Sequence, residues 1–172
     1  NRSVYAFNES LDKNLLSPVA SAYSLVVPSI ARRGVDNFFN NARYPGVILN
    51  GFLQGKVGQG FADSGRFLIN TTVGLLGIWD PARHLGLKAN VADFGQTLAK
   101  WGANSGPYLE IPAQGPSYTR ELSDYPVAIA TNTLNHAFDW NVTAPLLVLY
   151  YVNKRALLES AVYDADGQLL TG

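Results

Sequence analysis

Cysteine is missing from the chain. That absence excludes a disulfide framework, a thiolate metal site and a cysteine nucleophile. Charge is scarce: Asp, Glu, Lys and Arg make up 15% of the residues, against ~25% in an ordinary soluble domain. Neither sign is in surplus, with 13 basic and 13 acidic residues. Phosphate binding by nucleic-acid partners rests on a basic surplus, so no nucleic acid is expected. Attraction to anionic lipid by charge alone is unsupported for the same reason. A long apolar run is also lacking. The longest, VTAPLLVLYYV from Val142 to Val152, has eleven residues, short of the ~20 that a spanning helix needs.

Catalytic and cofactor signatures are equally sparse. His84 and His136 have no partner at metal-ligand spacing except Asp80, four residues before His84. No metal and no cofactor is expected from so thin a set. No serine stands in a G-x-S-x-G elbow, so an α/β-hydrolase nucleophile has no support. The stretch Gly51-Phe52-Leu53-Gln54-Gly55-Lys56-Val57 misses a phosphate loop. Three residues, not four, separate its glycines, and Val57 stands where a magnesium-binding hydroxyl is required. No catalytic residue is assigned.

What the chain does have is apolar and aromatic. Across 172 residues, 47% are hydrophobic and 12% aromatic. With so few charges, either neutral polar residues keep the surface wet or part of an apolar surface is covered. Tyrosine and tryptophan also suit a lipid headgroup boundary, with an apolar body and a polar tip. Charge drifts along the chain: residues 1–60 carry six basic and three acidic groups, residues 121–172 two basic and six acidic.

Helical spacing dominates. Val4, Phe7, Leu11 and Leu15 form one stripe. Pro18, Pro28 and Pro45 are each read as the first residue of a further helix. A longer helix is expected over Val57–Thr72, with small Ser64 and Gly65 receiving a neighbour. Asp80 before Pro81, and Asp93, read as helix N-caps, with Gly102 as a stop. An extended piece is expected over Tyr108–Ile111, pinned by Pro107 and Pro112. Ser117 and Ser123 read as caps, and residues 127–138 and 145–162 as helices. The expectation is one all-α domain over residues 1–172, built of short helices and tight turns.

The ordered strings resemble the MlaA (VacJ) family of outer-membrane lipoproteins. They include Arg33-Gly34-Val35-Asp36-Asn37-Phe38-Phe39-Asn40-Asn41, Leu53-Gln54-Gly55-Lys56, Asn70-Thr71-Thr72-Val73-Gly74 and Asp80-Pro81-Ala82. The strongest block is Asp93-Phe94-Gly95-Gln96-Thr97-Leu98, then Trp101-Gly102 and Ser105-Gly106-Pro107-Tyr108-Leu109. Lys154-Arg155-Ala156-Leu157-Leu158 matches a late helix. Asn41-Ala42-Arg43 departs from the pattern, which has an acidic residue at the third position. The lipobox cysteine before Asn1-Arg2 and the helix that follows Asp166-Gly167 are not in this sequence.

The resemblance implies a non-enzymatic lipid handler, lipid-anchored in its full-length form. It implies a compact, ring-like bundle of amphipathic helices around a polar channel, with a small hairpin, set in the periplasmic leaflet of the outer membrane. The expected cargo is mislocalised phospholipid, and the expected partners are a trimeric porin and a periplasmic lipid shuttle. The alternatives are a soluble periplasmic lipid-binding module and a lipid hydrolase. Phe7, Asn8, Asn37, Phe38, Asn40 and Asn41 are the channel and rim candidates, with the string from 37 to 41 expected as a turn close to Phe7-Asn8. Trp101, Gly102, Ala103, Asn104, Ser105, Gly106, Pro107 and Tyr108 are expected as a mobile gating hairpin. Leu146, Leu149 and Tyr150 are expected to face the membrane.

Overall fold

The computed structural model describes residues 1–162; Asp166-Gly167 lies outside them. Helix α1 (Arg2–Leu11), a π-helical turn (Asp12–Leu16) and α2 (Ser17–Val26) run as one arm. Pro28 ends it by forcing Val27 into extended backbone (φ −100°, ψ 116°). The next arm, α3 (Ser29–Leu53), leaves at 119° to the first. No single helix among the described residues is long and apolar enough to cross a membrane.

Helix α3 is 25 residues long and passes straight through Pro45. The expected new helix at Pro45 is therefore absent, and the string from Asn37 to Asn41 is helix interior rather than a turn. An interior proline costs ~3 kcal/mol. Packing of α3 along its length against α4 (Val57–Thr72), α7 (Asp124–Thr131), α8 (Thr133–Ala137) and α9 (Trp140–Val162) offsets that cost. Gly55 (φ +74°) turns the chain back at the end of α3. The close approach of α4 to α3 occurs at Gly60, where an added Cβ would meet the Phe52 ring at 2.8 Å. Gly65, the expected packing site, has open space beside it.

After α4, residues 73–79 form a tight loop with Leu75, Leu76 and Gly77 at positive φ. Asp80 caps α5 (Pro81–His84) by accepting from the Arg83 N–H at 3.2 Å. Asp93 caps α6 (Phe94–Lys100) by accepting from the Gln96 N–H at 2.7 Å. Strand β1 (Tyr108–Ile111) pairs antiparallel with β2 (Gly115–Tyr118), so Ser117 is a strand residue. A 3₁₀ turn (Glu121–Ser123) leads into α7 (Asp124–Thr131). The helix expected over 127–138 breaks at Asn132, whose side chain caps α8 (Thr133–Ala137). Helix α9 (Trp140–Val162) starts five residues before Pro145 and packs on α2 and α3.

The all-α bundle with a small hairpin is as expected, but its two principal helices are 25 and 23 residues long. Its interior is unusual. The apolar core is small: Phe39, Ala42 and Leu134, with Val35, Phe38, Leu146, Leu149 and Tyr150 packed against it. The largest fully buried side chains are Asn50, Asn153, Thr97 and Asp63, all polar. Large apolar residues stand outside, among them Leu25 (89% exposed), Val26, Ile30, Trp79 and Trp140. Ordinary globular packing places these classes the other way round.

Candidate functional site

A polar cavity of about 440 Å³ lies among α3, α4, α7, α9 and the segment 89–93. Asn37, Asn40, Asn41, Tyr44 and Asn50 line it from α3, and Arg66 and Asn70 from α4. Asp63, Arg66 and Asn70 recur at spacings of three and four, which places one polar stripe on the inner face of α4. Phe61 and Leu68 stay on the outer face, both more than 60% exposed.

Three hydrogen-bonded groups hold the walls. Arg66 is buried, pairs with Asp80, and donates to the Leu87 carbonyl. Asn70 clamps the same Asp80 at 2.9 Å and accepts from the Ala82 N–H at 3.1 Å. Burial pushes the Asp80 carboxyl up, but the bonds from Asn70 and Arg66 and the guanidinium charge outweigh it, leaving the group below its ordinary 3.8. Asp63, fully buried, accepts from Asn90 Nδ2 at 2.9 Å and Gln59 Nε2 at 3.1 Å. Thr97 Oγ1 donates to Asn50 Oδ1 at 2.8 Å and accepts from Gln54 Nε2 at 3.1 Å. Arg66 Nε and Asn41 Oδ1 have no protein partner. Both belong to cavity-lining residues, although neither atom is itself open to the cavity space.

A second cavity, an open cleft of about 600 Å³, lies on the neighbouring face of α3. Ile30, Gly34, Val35, Phe38, Ile78, Trp79, Leu146 and Leu149 line it. Asn37 borders both cavities.

The rim candidates are thus divided. Asn37, Asn40 and Asn41 line the polar cavity, whereas Phe38 lines the apolar cleft. Asn8 goes elsewhere: it donates to the Ile111 carbonyl at 2.9 Å and accepts from the Ala113 N–H at 2.7 Å. It fastens α1 to the hairpin, and no described hydrogen bond joins it to residues 37–41. Phe7 is 53% exposed.

The gate candidates also shift. The two-stranded hairpin begins at Tyr108, and residues 101–107 are its approach. That approach is tied at several points. Trp101 Nε1 donates to the Leu53 carbonyl at 3.2 Å, and the Ala103 N–H to Leu98 at 2.9 Å. Arg120 donates from its side chain to the Ala103 carbonyl at 3.2 Å and from its backbone N–H to Ser105 at 3.1 Å. Asn104 stays exposed, and Gly102 and Gly106 take positive φ. Pro107 accepts from the Thr119 N–H at 3.0 Å.

Leu146, Leu149 and Tyr150 are partly buried and pack against the apolar core, with Leu146 and Leu149 also lining the open apolar cleft. The outer face of α9 is Val142, Leu147, Val148, Tyr151 and Leu158. The apolar residues of α9 surround the helix, so sequence alone does not choose the buried side. Sequence reasoning missed Tyr44, Asn50, Asp63, Arg66 and Asn70. The polar stripe on α4 was the available signal.

Comparison with known proteins places this arrangement. The family model described as "MlaA lipoprotein" matches residues 1–167. The "Intermembrane phospholipid transport system lipoprotein MlaA" of Escherichia coli is 38% identical over 173 residues, covering 98% of this chain and 67% of that protein. The protein of the same name from Shigella flexneri is 35% identical with the same coverage. "Uncharacterized protein RT0044" of Rickettsia typhi is 37% identical over 72% of this chain and 49% of that protein. For the rickettsial relatives, the match therefore spans about half of their length. A solved structure described as "Structural basis for maintenance of bacterial outer membrane lipid asymmetry" superposes with a TM-score of 0.79 at 30% identity. That superposition covers 94% of this chain and 82% of the other. A polar interior, an apolar exterior and these matches converge: the chain belongs to the MlaA lipoprotein family.

Proposed function

We propose that this protein withdraws mislocalised phospholipid from the outer leaflet of a Gram-negative outer membrane and passes it toward a periplasmic shuttle. In this reading the bundle sits in the periplasmic leaflet beside a trimeric porin. The observation that carries the proposal is the inverted polarity: a polar cavity inside and large apolar side chains outside. A phospholipid crossing a bilayer must move its headgroup through hydrocarbon, and burying an unpaired polar group there is costly. A hydrated polar cavity removes that cost, while the acyl chains stay against apolar faces such as Val148 and Leu158. A soluble carrier needs the reverse arrangement, with an apolar interior to hide the tails. Residues 101–107 are proposed to adjust the hairpin beside this route.

The test is complementation. The protein is expressed in an Escherichia coli strain lacking its own MlaA, and outer-leaflet phospholipid and resistance to detergent with chelator are measured. Both should return to wild-type levels. If purified protein remains monomeric in water without detergent or lipid and fails to complement, the membrane-inset reading is overturned.

A further inference from the structure

We propose that Arg43, Lys154 and Tyr150 form an anion site for a phosphate group at the exposed edge of the polar cavity. The inference rests on the lipid-handling reading and names the headgroup chemistry that the route selects. Arg43 on α3 and Lys154 on α9 both line the cavity, and both side chains reach the same atom. Arg43 donates to the Tyr150 hydroxyl at 3.3 Å, and Lys154 Nζ donates to it at 3.0 Å. The Lys154 ammonium also lies 5.2 Å from the Tyr150 ring centroid. The ring is held edge-on by Phe39 and Tyr151, with centroids 5.4 and 5.3 Å away.

Two cations brought to one atom repel each other unless an anion joins them. No such anion comes from the described protein groups. The described ion pairs are Lys13–Glu9, Arg66–Asp80, Arg155–Asp12 and Arg155–Glu159, none of which includes Arg43 or Lys154. The carboxylates that line the cavity are committed elsewhere. Asp80 is held by Arg66 and Asn70, Asp93 by the cap of α6, and Asp124 by the Phe94 N–H at 2.8 Å. The Tyr150 hydroxyl accepts two bonds and keeps its own proton to donate. A guanidinium, an ammonium and a phenol with spare donors around one point match a phosphate with several acceptor oxygens.

A phospholipid phosphodiester and a free soluble phosphate share this chemistry, and the experiment separates them. Binding to the wild-type chain and to the Arg43→Gln/Lys154→Gln double variant is measured in non-ionic detergent with three probes: phosphatidylglycerol, diacylglycerol of the same chains, and glycerol phosphate. Phosphatidylglycerol affinity should fall about tenfold in the double variant, as loss of charge-assisted bonds implies. Diacylglycerol affinity should be equal in both proteins. Lys154→Arg, which keeps the charge, should retain wild-type affinity and shows that the site rather than the fold is being read. Glycerol phosphate bound as tightly as the lipid, and lost in the double variant, would confirm the anion site and assign it to soluble phosphate. Phosphatidylglycerol bound equally by both proteins overturns the anion site alone. A wild-type chain that binds neither phosphate probe overturns it together with the lipid-handling reading.

Discussion

Helix α3 walls two cavities of opposite character. Its Ile30, Gly34, Val35 and Phe38 open onto the apolar cleft, and its Asn40, Asn41, Tyr44 and Asn50 open onto the polar cavity. The cleft is held by dispersion and apolar burial, which tolerate small changes of shape. The polar cavity is held by directional bonds, in which each lost partner strands another. The two spaces are of similar size but should respond very differently to substitution.

The largest effect is expected in the polar wall. Arg66→Met leaves Asp80 without its cation and the Leu87 carbonyl without its donor. Breaking a mostly buried pair in this way should cost about 3 kcal/mol, read as a lowered thermal midpoint in detergent. A loss no greater than that of an exposed substitution would mean the wall is not organised by this pair. The apolar cleft should be more forgiving. Leu149→Ser removes a half-buried side chain, and about 1 kcal/mol is expected from lost burial. A loss equal to that of Arg66→Met would erase the contrast.

The smallest effect is electrostatic and reversible. The folded-state pKa of Asp80 lies below its ordinary 3.8, so its contribution is complete above that value and is lost as pH falls through and below it. The thermal midpoint should therefore drop on acidification below pH 4, and Asp80→Asn should flatten that part of the profile. A profile unchanged by the substitution would remove Asp80 as its source.

Local chemistry made several elements legible in the sequence. Asp80-Pro81 and Asp93 cap helices as expected because a side-chain acceptor meets a free N–H within three residues. The Val57–Thr72 helix and the Tyr108–Ile111 strand have the bounds expected of them. Two of the misreadings came from proline. Pro45 and Pro145 lie inside helices, because an interior proline's local penalty is outweighed by packing from distant elements. Reading Pro45 as a start also turned Asn37–Asn41 into a turn, which hid the polar face that α3 presents.

The sequence by itself determined that this is a helical, charge-poor chain with too many apolar residues for an ordinary wet surface. Periodicity and capping act over three or four residues, so one strand of amino acids carries them completely. Which side of each helix faces inward was decided only by the tertiary structure. In α9 the apolar residues circle the helix, and docking against Phe39 and Leu134 chose Leu146, Leu149 and Tyr150 as the packed side. The meeting of Arg43 with Lys154 on one hydroxyl is likewise a tertiary event, since 107 residues separate Arg43 from Tyr150. Polarity inverts here because buried polar groups such as Asp63, Arg66, Asn70 and Thr97 find partners on other elements, and those pairings exist only once the helices close around the cavity.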